Sequence, residues 1–467
     1  MNLKTLFRTK LVSQNAEPSG LRRCLTAWDL TLMGIGAIIG AGIFVLTGIA
    51  AATQAGPAIV LSYVLAGLAC AFSALSYAEL ASSIGGCGSA YGYAYAGLGE
   101  FIAWIIGWDL LLEYGMACST ISIGWSGYVN NTLTAMGIHL PKALLMDPFN
   151  GGFINLPAAL LIVGLAWLLS VGVHESARFN KIVVFIKLAA IAFFIAIAAF
   201  HVNPANWHPF FPFGWHGIVG GAALIFFAYI GFDAVSTAAE EAIEPRRALP
   251  IGIIVSLAVC TVLYVVVSGL LTGIAYYPTL NVSSPVAEAL VRLGYRFAGA
   301  VVAIGAIAGL TTTTLVMYYG FTRIFLAMAR DGLLPKAMSH INPKSRTPQR
   351  LIISIGVIMA LVAGFTPIND VAQLVNIGTL AAFVVVCAGV IVMRYTQPDL
   401  PRSFRTPGSP IIPALGVILC IYLMTGLSRV TWISFLIWLV IGLIIYFCYS
   451  RYRSVLGNNS PKQESFS

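Results

Sequence analysis

At 467 residues, 59% hydrophobic and 9% charged, the chain is far from a soluble domain, which carries about 25% charged residues, and falls by composition in the membrane class. A net charge of +9 would suit a nucleic-acid partner, but the basic residues gather in short connecting segments rather than in one patch, which argues against nucleic acid. The eight cysteines show no CxxC or metal-ligand spacing, and the six histidines lie in or beside expected loops, so neither a metal nor a cofactor is expected.

Residues 1–24 are polar and basic, so no cleavable signal peptide is expected. Runs of roughly 20 apolar residues, the length of one crossing, then predict twelve helices. They lie near 25–50, 57–83, 100–127, 154–174, 180–200, 217–240, 250–274, 299–329, 350–365, 371–393, 411–428 and 431–450. With the N-terminus inside, twenty lysines and arginines fall in cytoplasmic segments, and only Lys142, Arg292, Arg296 and Arg429 fall outside. This bias predicts that both termini are cytoplasmic, and it makes the basic charge a topology signal and an anionic-leaflet contact.

The first apolar run contains "GAIIGAGIF", with Gly36, Gly40 and Gly42 at mid-membrane. Glycine inside a helix costs about 1 kcal/mol relative to alanine. The run is either a GxxxG packing face or a point where the helix unwinds. The sixth run, "LIFFAYIGFDAVSTAAEEAIEPRRALP", is interrupted by Gly231, and Asp233 follows. Glycine-interrupted segments at matching places in two halves point to an inverted-repeat transporter. An unwound stretch frees N–H groups at one half-helix end and C=O groups at the other, and these must line a cavity or be buried in protein. Two facing breaks would hold a carboxylate and an ammonium together, and an α-amino acid is the simplest such ligand.

Ionisable residues inside the spans cost about 2.5–3.5 kcal/mol each on insertion scales, which marks them as functional candidates. Asp109 and Glu113, four apart on the third helix, share a face. Glu113 is the candidate for the pocket and Asp109 for a structural pair. Lys187, six residues past Lys181 on the fifth helix, either snorkels to the interface or serves the site. Asp233 is a proton carrier, the N-cap of the second half-helix, or both. Met317 either shapes a side-chain pocket or simply packs. Glu240, Glu241 and Glu244 precede Arg246 and Arg247, as a cytoplasmic gate network or a solvated turn.

The stretches "GIGAIIGAGIF", "GPAIVLSYVLAGL", "GGCGSAYGYAYAGLGEFIAWIIGWDLLLEY", "EEAIEPRRALP" and "FLAMARDGLLPKAMSHINPKSRTP" resemble the amino acid–polyamine–organocation superfamily. "AWIIGWDLLLEY" is most similar to its cationic amino acid transporters. The resemblance implies an all-α membrane protein with a LeuT-type fold. Residues 25–200 would form the first inverted repeat of five helices and 217–393 the second. Helices over 411–450 would follow, with tails at 1–24 and 451–467. It also implies amides of Gly40, Ala41 and Gly42 for a substrate carboxylate, and carbonyls of Ile38, Phe227, Ala228 and Ile230 for its ammonium. Phe227 would close over substrate, although a core phenylalanine is the commoner fate. The Lys187 ammonium would stand where sodium-coupled relatives bind a cation, near hydroxyls of Thr311–Thr314.

The expectation is a secondary transporter of cationic or small neutral amino acids in the cell membrane. It would be a monomer or weak homo-oligomer, with the proton as coupling ion through Lys187 and Asp233 or Glu113. An exchanger or a non-transporting sensor of the same fold is the alternative. ATP drive lacks a Walker A motif, a channel lacks a polar lining, and an enzyme lacks a catalytic cluster.

Overall fold

The computed structural model describes residues 8–9, 25–84, 89–171, 176–239, 242–342 and 347–458. Among these residues the chain is helical, with one isolated β-bridge between Leu25 and Ala242. Its helices of a dozen or more residues are α1 (Ala27–Ile38), α2 (Ile59–Ser83), α3 (Glu100–Ala135), α4 (Leu156–Val171), α5 (Ser176–Ala198) and α6 (Gly214–Ile225). They continue with α7 (Pro245–Ile274), α8 (Arg296–Arg330), α9 (Gln349–Phe365), α10 (Ile368–Thr396), α11 (Ile411–Met424) and α12 (Arg429–Ile445). Eight segments are long and apolar enough to cross a membrane, the first being the 57-residue stretch Ala27–Ser83 that holds both α1 and α2. Leu156–Ser170, Gln349–Phe365 and Ile411–Met424 are apolar but shorter. Exposed Leu160, Trp167, Val262, Ile304, Ile358 and Ile437 give the outer faces an apolar coat suited to lipid.

The helix expected over 25–50 is not continuous. α1 opens on a capping box in which the Thr26 hydroxyl accepts from Asp29 N–H and the Asp29 carboxylate accepts from Thr26 N–H. It stops at Ile38, where Ile39 turns extended, and the chain re-forms as a π-turn over Gly42–Leu46. A bend at Gly56, with φ +62°, turns the chain into α2. The sixth run also breaks. α6 gives way to a 3₁₀ turn at Phe226–Tyr229, then extended Ile230, then Gly231 at φ +120°. A single helical turn, Ala234–Thr237, resumes beyond it. Two further helices, Ser89–Gly97 and Pro285–Arg292, occupy stretches read from sequence as connections.

The halves interleave. α2 lies along α7, α3 along α8 and α4 along α9, while α1 packs on α7, α5 and α8. α12 is stitched to α3 by indoles: Trp104 donates to Gly442 O at 2.9 Å, Trp108 to Trp438 O at 2.8 Å and Trp438 to Trp108 O at 3.1 Å. Gly442 permits this, since a Cβ there would lie 2.3 Å from the Trp108 ring. At the end of α2, buried Glu79 accepts both arms of Arg394 (3.0 and 2.7 Å) and the Thr406 N–H (2.7 Å). That pairing fixes the α10–α11 connection against α2. The start of α1 is tied to α5 by an ion pair between Asp29 and Lys181.

Candidate functional site

The two breaks face each other across a small cavity. The α1 break contributes Ala37, Ile38, Gly40, Ala41 and Gly42, and the α6 break Phe227 and Ile230. α3 adds Ala117 and Ile121, and α8 adds Thr313 and Met317. The approach of the breaks depends on glycine. A Cβ on Gly42 would sit 2.2 Å from the Ala228 Cα, and one on Gly231 would sit 2.8 Å from Met317 Cε and 2.9 Å from the Ala37 carbonyl carbon. Gly231 also needs its positive φ, which side chains with a Cβ rarely adopt.

Each break is completed by a polar side chain of opposite character. At the first, the fully buried Lys187 ammonium donates to Gly36 O at 2.5 Å and Ile39 O at 2.8 Å. These are carbonyls that the end of α1 leaves without helical partners. The Thr313 hydroxyl lies 3.1 Å from both carbonyls and 3.5 Å from the ammonium. Gly309 leaves room for the lysine stem, as a Cβ there would be 3.1 Å from its Cδ. At the sixth break the buried Asp233 carboxylate accepts the Gly231 N–H at 3.2 Å and the Tyr114 hydroxyl at 2.6 Å. The free carbonyl end therefore meets a cation and the free amide end an anion.

A residue not singled out from sequence joins the two. The Tyr264 hydroxyl, from α7, lies 2.8 Å from Ile38 O and 2.9 Å from Ala228 O. In sequence it is one aromatic in the apolar run "CTVLYVVVSG", with nothing local to mark it. Both carbonyls keep a second lone pair for a ligand.

Ile38, Gly40, Ala41, Gly42, Phe227, Ile230 and Met317 are thus brought to one cavity, and Ala228 backs it against Gly42. Lys187 lies behind the first break and Asp233 just past the sixth. Glu113, expected in the pocket, does not line it. Its carboxyl oxygens have no hydrogen-bond partner of ordinary length among the described residues, and neither has Oδ1 of Asp109. The physical reason is depth. Residues 113, 117 and 121 follow one face of α3, and Ala117 and Ile121 occupy the stretch of that face at the cavity, a turn above Glu113. Of the expected gate, Arg246 is exposed in the first turn of α7, while Glu240 and Glu241 lie outside the described residues.

Broken helices re-satisfied by buried charge around an apolar cavity, inside a helical bundle with an apolar outer face, define a multi-pass membrane permease. The chain belongs to the amino acid permease family, whose sequence profile matches residues 25–447, within the amino acid–polyamine–organocation superfamily. It is 50% identical over 461 residues to the branched-chain amino acid permease BcaP of Bacillus subtilis, covering 97% of this chain and 99% of the relative. It is 47% identical to the methylthioribose transporter of Bacillus subtilis, covering 97% of this chain and all of that protein. It is 38% identical to the vacuolar cationic amino acid transporter 4 of Arabidopsis thaliana, covering 85% of this chain and 68% of the relative.

Proposed function

We propose that this protein imports neutral L-amino acids with small or branched apolar side chains, by proton-coupled alternating access. The observation that carries the substrate class is the cavity wall. The backbone of the first break offers amides to a carboxylate, and the carbonyls of both breaks suit an ammonium. Around the rest, Ala117, Ile121, Ile230 and Met317 offer only apolar atoms. A long cationic side chain would have no partner there, because Glu113 stands outside the lining. The relative BcaP, named for branched-chain amino acids, agrees with this reading.

The 57-residue first segment counts as two crossings. With the seven other long segments and the three shorter apolar helices it makes twelve, with both termini cytoplasmic by the lysine and arginine bias. Pairing of α2 with α7, α3 with α8 and α4 with α9, each five helices on, supports two inverted repeats of five. Proton coupling rests on Lys187. Its ammonium ties α1 to α5 and α8 as a bound cation would, and a neutral amine lacks the charge that holds two carbonyls. Loss of the proton therefore frees the first break and its ligand together, with no sodium required. Arg246, with Glu240 and Glu241, remains the candidate cytoplasmic gate.

A second reading is transport of a methylthio sugar, favoured by the 47% identical relative. The cavity argues against it, because its one polar side chain, Thr313, is already engaged with Gly36 and Ile39. Competition for labelled leucine uptake into proteoliposomes, across the twenty amino acids and methylthioribose, decides. Valine, isoleucine and leucine should compete, while arginine and methylthioribose should not. Strong competition by methylthioribose without competition by aliphatic amino acids overturns the proposal. Absence of counterflow in loaded vesicles would leave a sensor.

A further inference from the structure

The carbonyl of Gly42 is held by more donors than the π-turn it opens requires. The Thr47 N–H closes that turn onto Gly42 O. The Thr47 hydroxyl, five residues on, donates to the same oxygen at 3.0 Å. The Tyr63 hydroxyl, from α2, lies 2.5 Å from Thr47 Oγ1 and 3.4 Å from Gly42 O. Each hydroxyl has a single proton. The arrangement that uses both sends the Thr47 proton to Gly42 O and the Tyr63 proton to Thr47 Oγ1. Tyr63 is itself anchored, because its own carbonyl accepts the Tyr229 hydroxyl at 2.8 Å. Tyr229 closes the 3₁₀ turn of the sixth break. A relay thus runs from the sixth break through α2 to the first, with Thr47 and Tyr63 both fully buried.

Neither Thr47 nor Tyr63 lines the cavity, and neither hydroxyl bonds Lys187 or Asp233. What the relay fixes is a peptide plane at a residue that has no side chain to fix it. Glycine turns about its dihedrals more freely than any other residue, and Gly42 is where the chain leaves the break. Pinning its carbonyl fixes the Gly42–Ile43 peptide plane and so limits rotation about the Gly42 dihedrals, which carry the preceding Gly42 N–H of the first break. Connected hydrogen bonds in a low-dielectric site strengthen one another, so removing one member loosens the rest.

We propose that Tyr63 and Thr47 are positioning residues of the carboxylate subsite. They aim the amides of the first break at the substrate carboxylate without touching substrate. The inference rests on the amino acid reading above, so its test separates carboxylate binding from everything else in the site. Leucine and leucinamide share an ammonium and a side chain, and differ in the carboxylate. Each is measured as an inhibitor of labelled leucine uptake in proteoliposomes carrying the full chain. In the wild type, leucine should inhibit at lower concentration than leucinamide.

Tyr63→Phe should raise the leucine concentration for half-inhibition by about five- to tenfold, the scale of one buried hydrogen bond. Leucinamide inhibition and the maximal rate should stay near wild type. Thr47→Val should do the same. The double variant should be no worse than the poorer single, because the two hydroxyls act in one chain. Thr47→Ser keeps a hydroxyl and should restore leucine. Equal losses for both ligands, or a lower maximal rate at unchanged half-saturation, would make the relay a packing feature and overturn the proposal. Equal inhibition by leucine and leucinamide in the wild type would overturn the carboxylate reading itself, a failure visible before any variant is made.

Discussion

The two helix breaks solve one physical problem in different ways. Each leaves backbone groups exposed within the apolar bundle. At the sixth break the repair is local: Asp233 reaches back two residues to the Gly231 N–H, and its second oxygen takes Tyr114. At the first break it comes from elsewhere, since the cation that satisfies Gly36 O and Ile39 O arrives from α5, with Thr313 from α8. A repair made within one segment moves with that segment. A repair made across helices must be undone for the helices to part. The first break thus has its carbonyls held by a charged group from another helix. The sixth satisfies its Gly231 amide from its own segment and takes neutral hydroxyls, Tyr114 and Tyr264, from α3 and α7.

The largest effects should come from glycine, where the breaks touch. Gly42→Leu should abolish binding of all amino acids alike with the protein still folded by gel filtration. Gly42→Ala should already weaken binding by about tenfold or more, because overpacking costs roughly 1–3 kcal/mol and the obstacle is the Ala228 backbone. Normal uptake by Gly42→Leu would reduce the break to a packing face.

Lys187 comes next and tests the contrast directly. Uptake by the wild type should rise as external pH falls and be indifferent to replacing sodium with choline. Lys187→Ala removes a buried charge and should fold, with Thr313 still on the freed carbonyls. It should lose at least about tenfold in pH-driven accumulation, since bonds to a charged group are worth about 1.5–3 kcal/mol each. Counterflow, which needs no gradient, should persist but require a higher substrate concentration, because the uncharged first break holds ligand more weakly. Unchanged pH-driven accumulation would remove Lys187 from coupling. Asp233→Asn should be milder. An amide oxygen still accepts the Gly231 N–H and the amide NH2 can donate to the Tyr114 oxygen, so the maximal rate should fall by about fivefold or less, with the pH dependence intact. A lost pH dependence there would transfer the proton to the sixth break and dissolve the distinction.

What the sequence makes legible follows the same physics. Gly36, Gly40, Gly42 and Gly231 stand out because glycine is costly in a helix, and Lys187 and Asp233 because charge is costly in lipid. Tyr264, Tyr63 and Thr47 carry no such signal. A tyrosine or threonine in an apolar run costs little, and its role exists only once helices distant in sequence present carbonyls to it. The depth of Glu113 is hidden for a related reason. α3 is buried on nearly every side, so no polar face orients it. The rest of the cavity wall includes Ile230 and Met317, more than 100 residues away in sequence.

That depth yields the smallest and most discriminating expectation. Glu113, Ala117 and Ile121 lie on one stripe, so Glu113 points the right way but stands one turn beyond the cavity. Neutralising it therefore removes a buried carboxyl group without removing a contact to substrate. Glu113→Gln should shift leucine, alanine and arginine half-inhibition by a common factor of no more than about fivefold, leaving the order of preference untouched. A selective loss for arginine would mean that Met317 and Ile230 part to let a long side chain through. In that case the apolar wall would be a movable partition, and the preference for neutral substrates would belong to one conformation only.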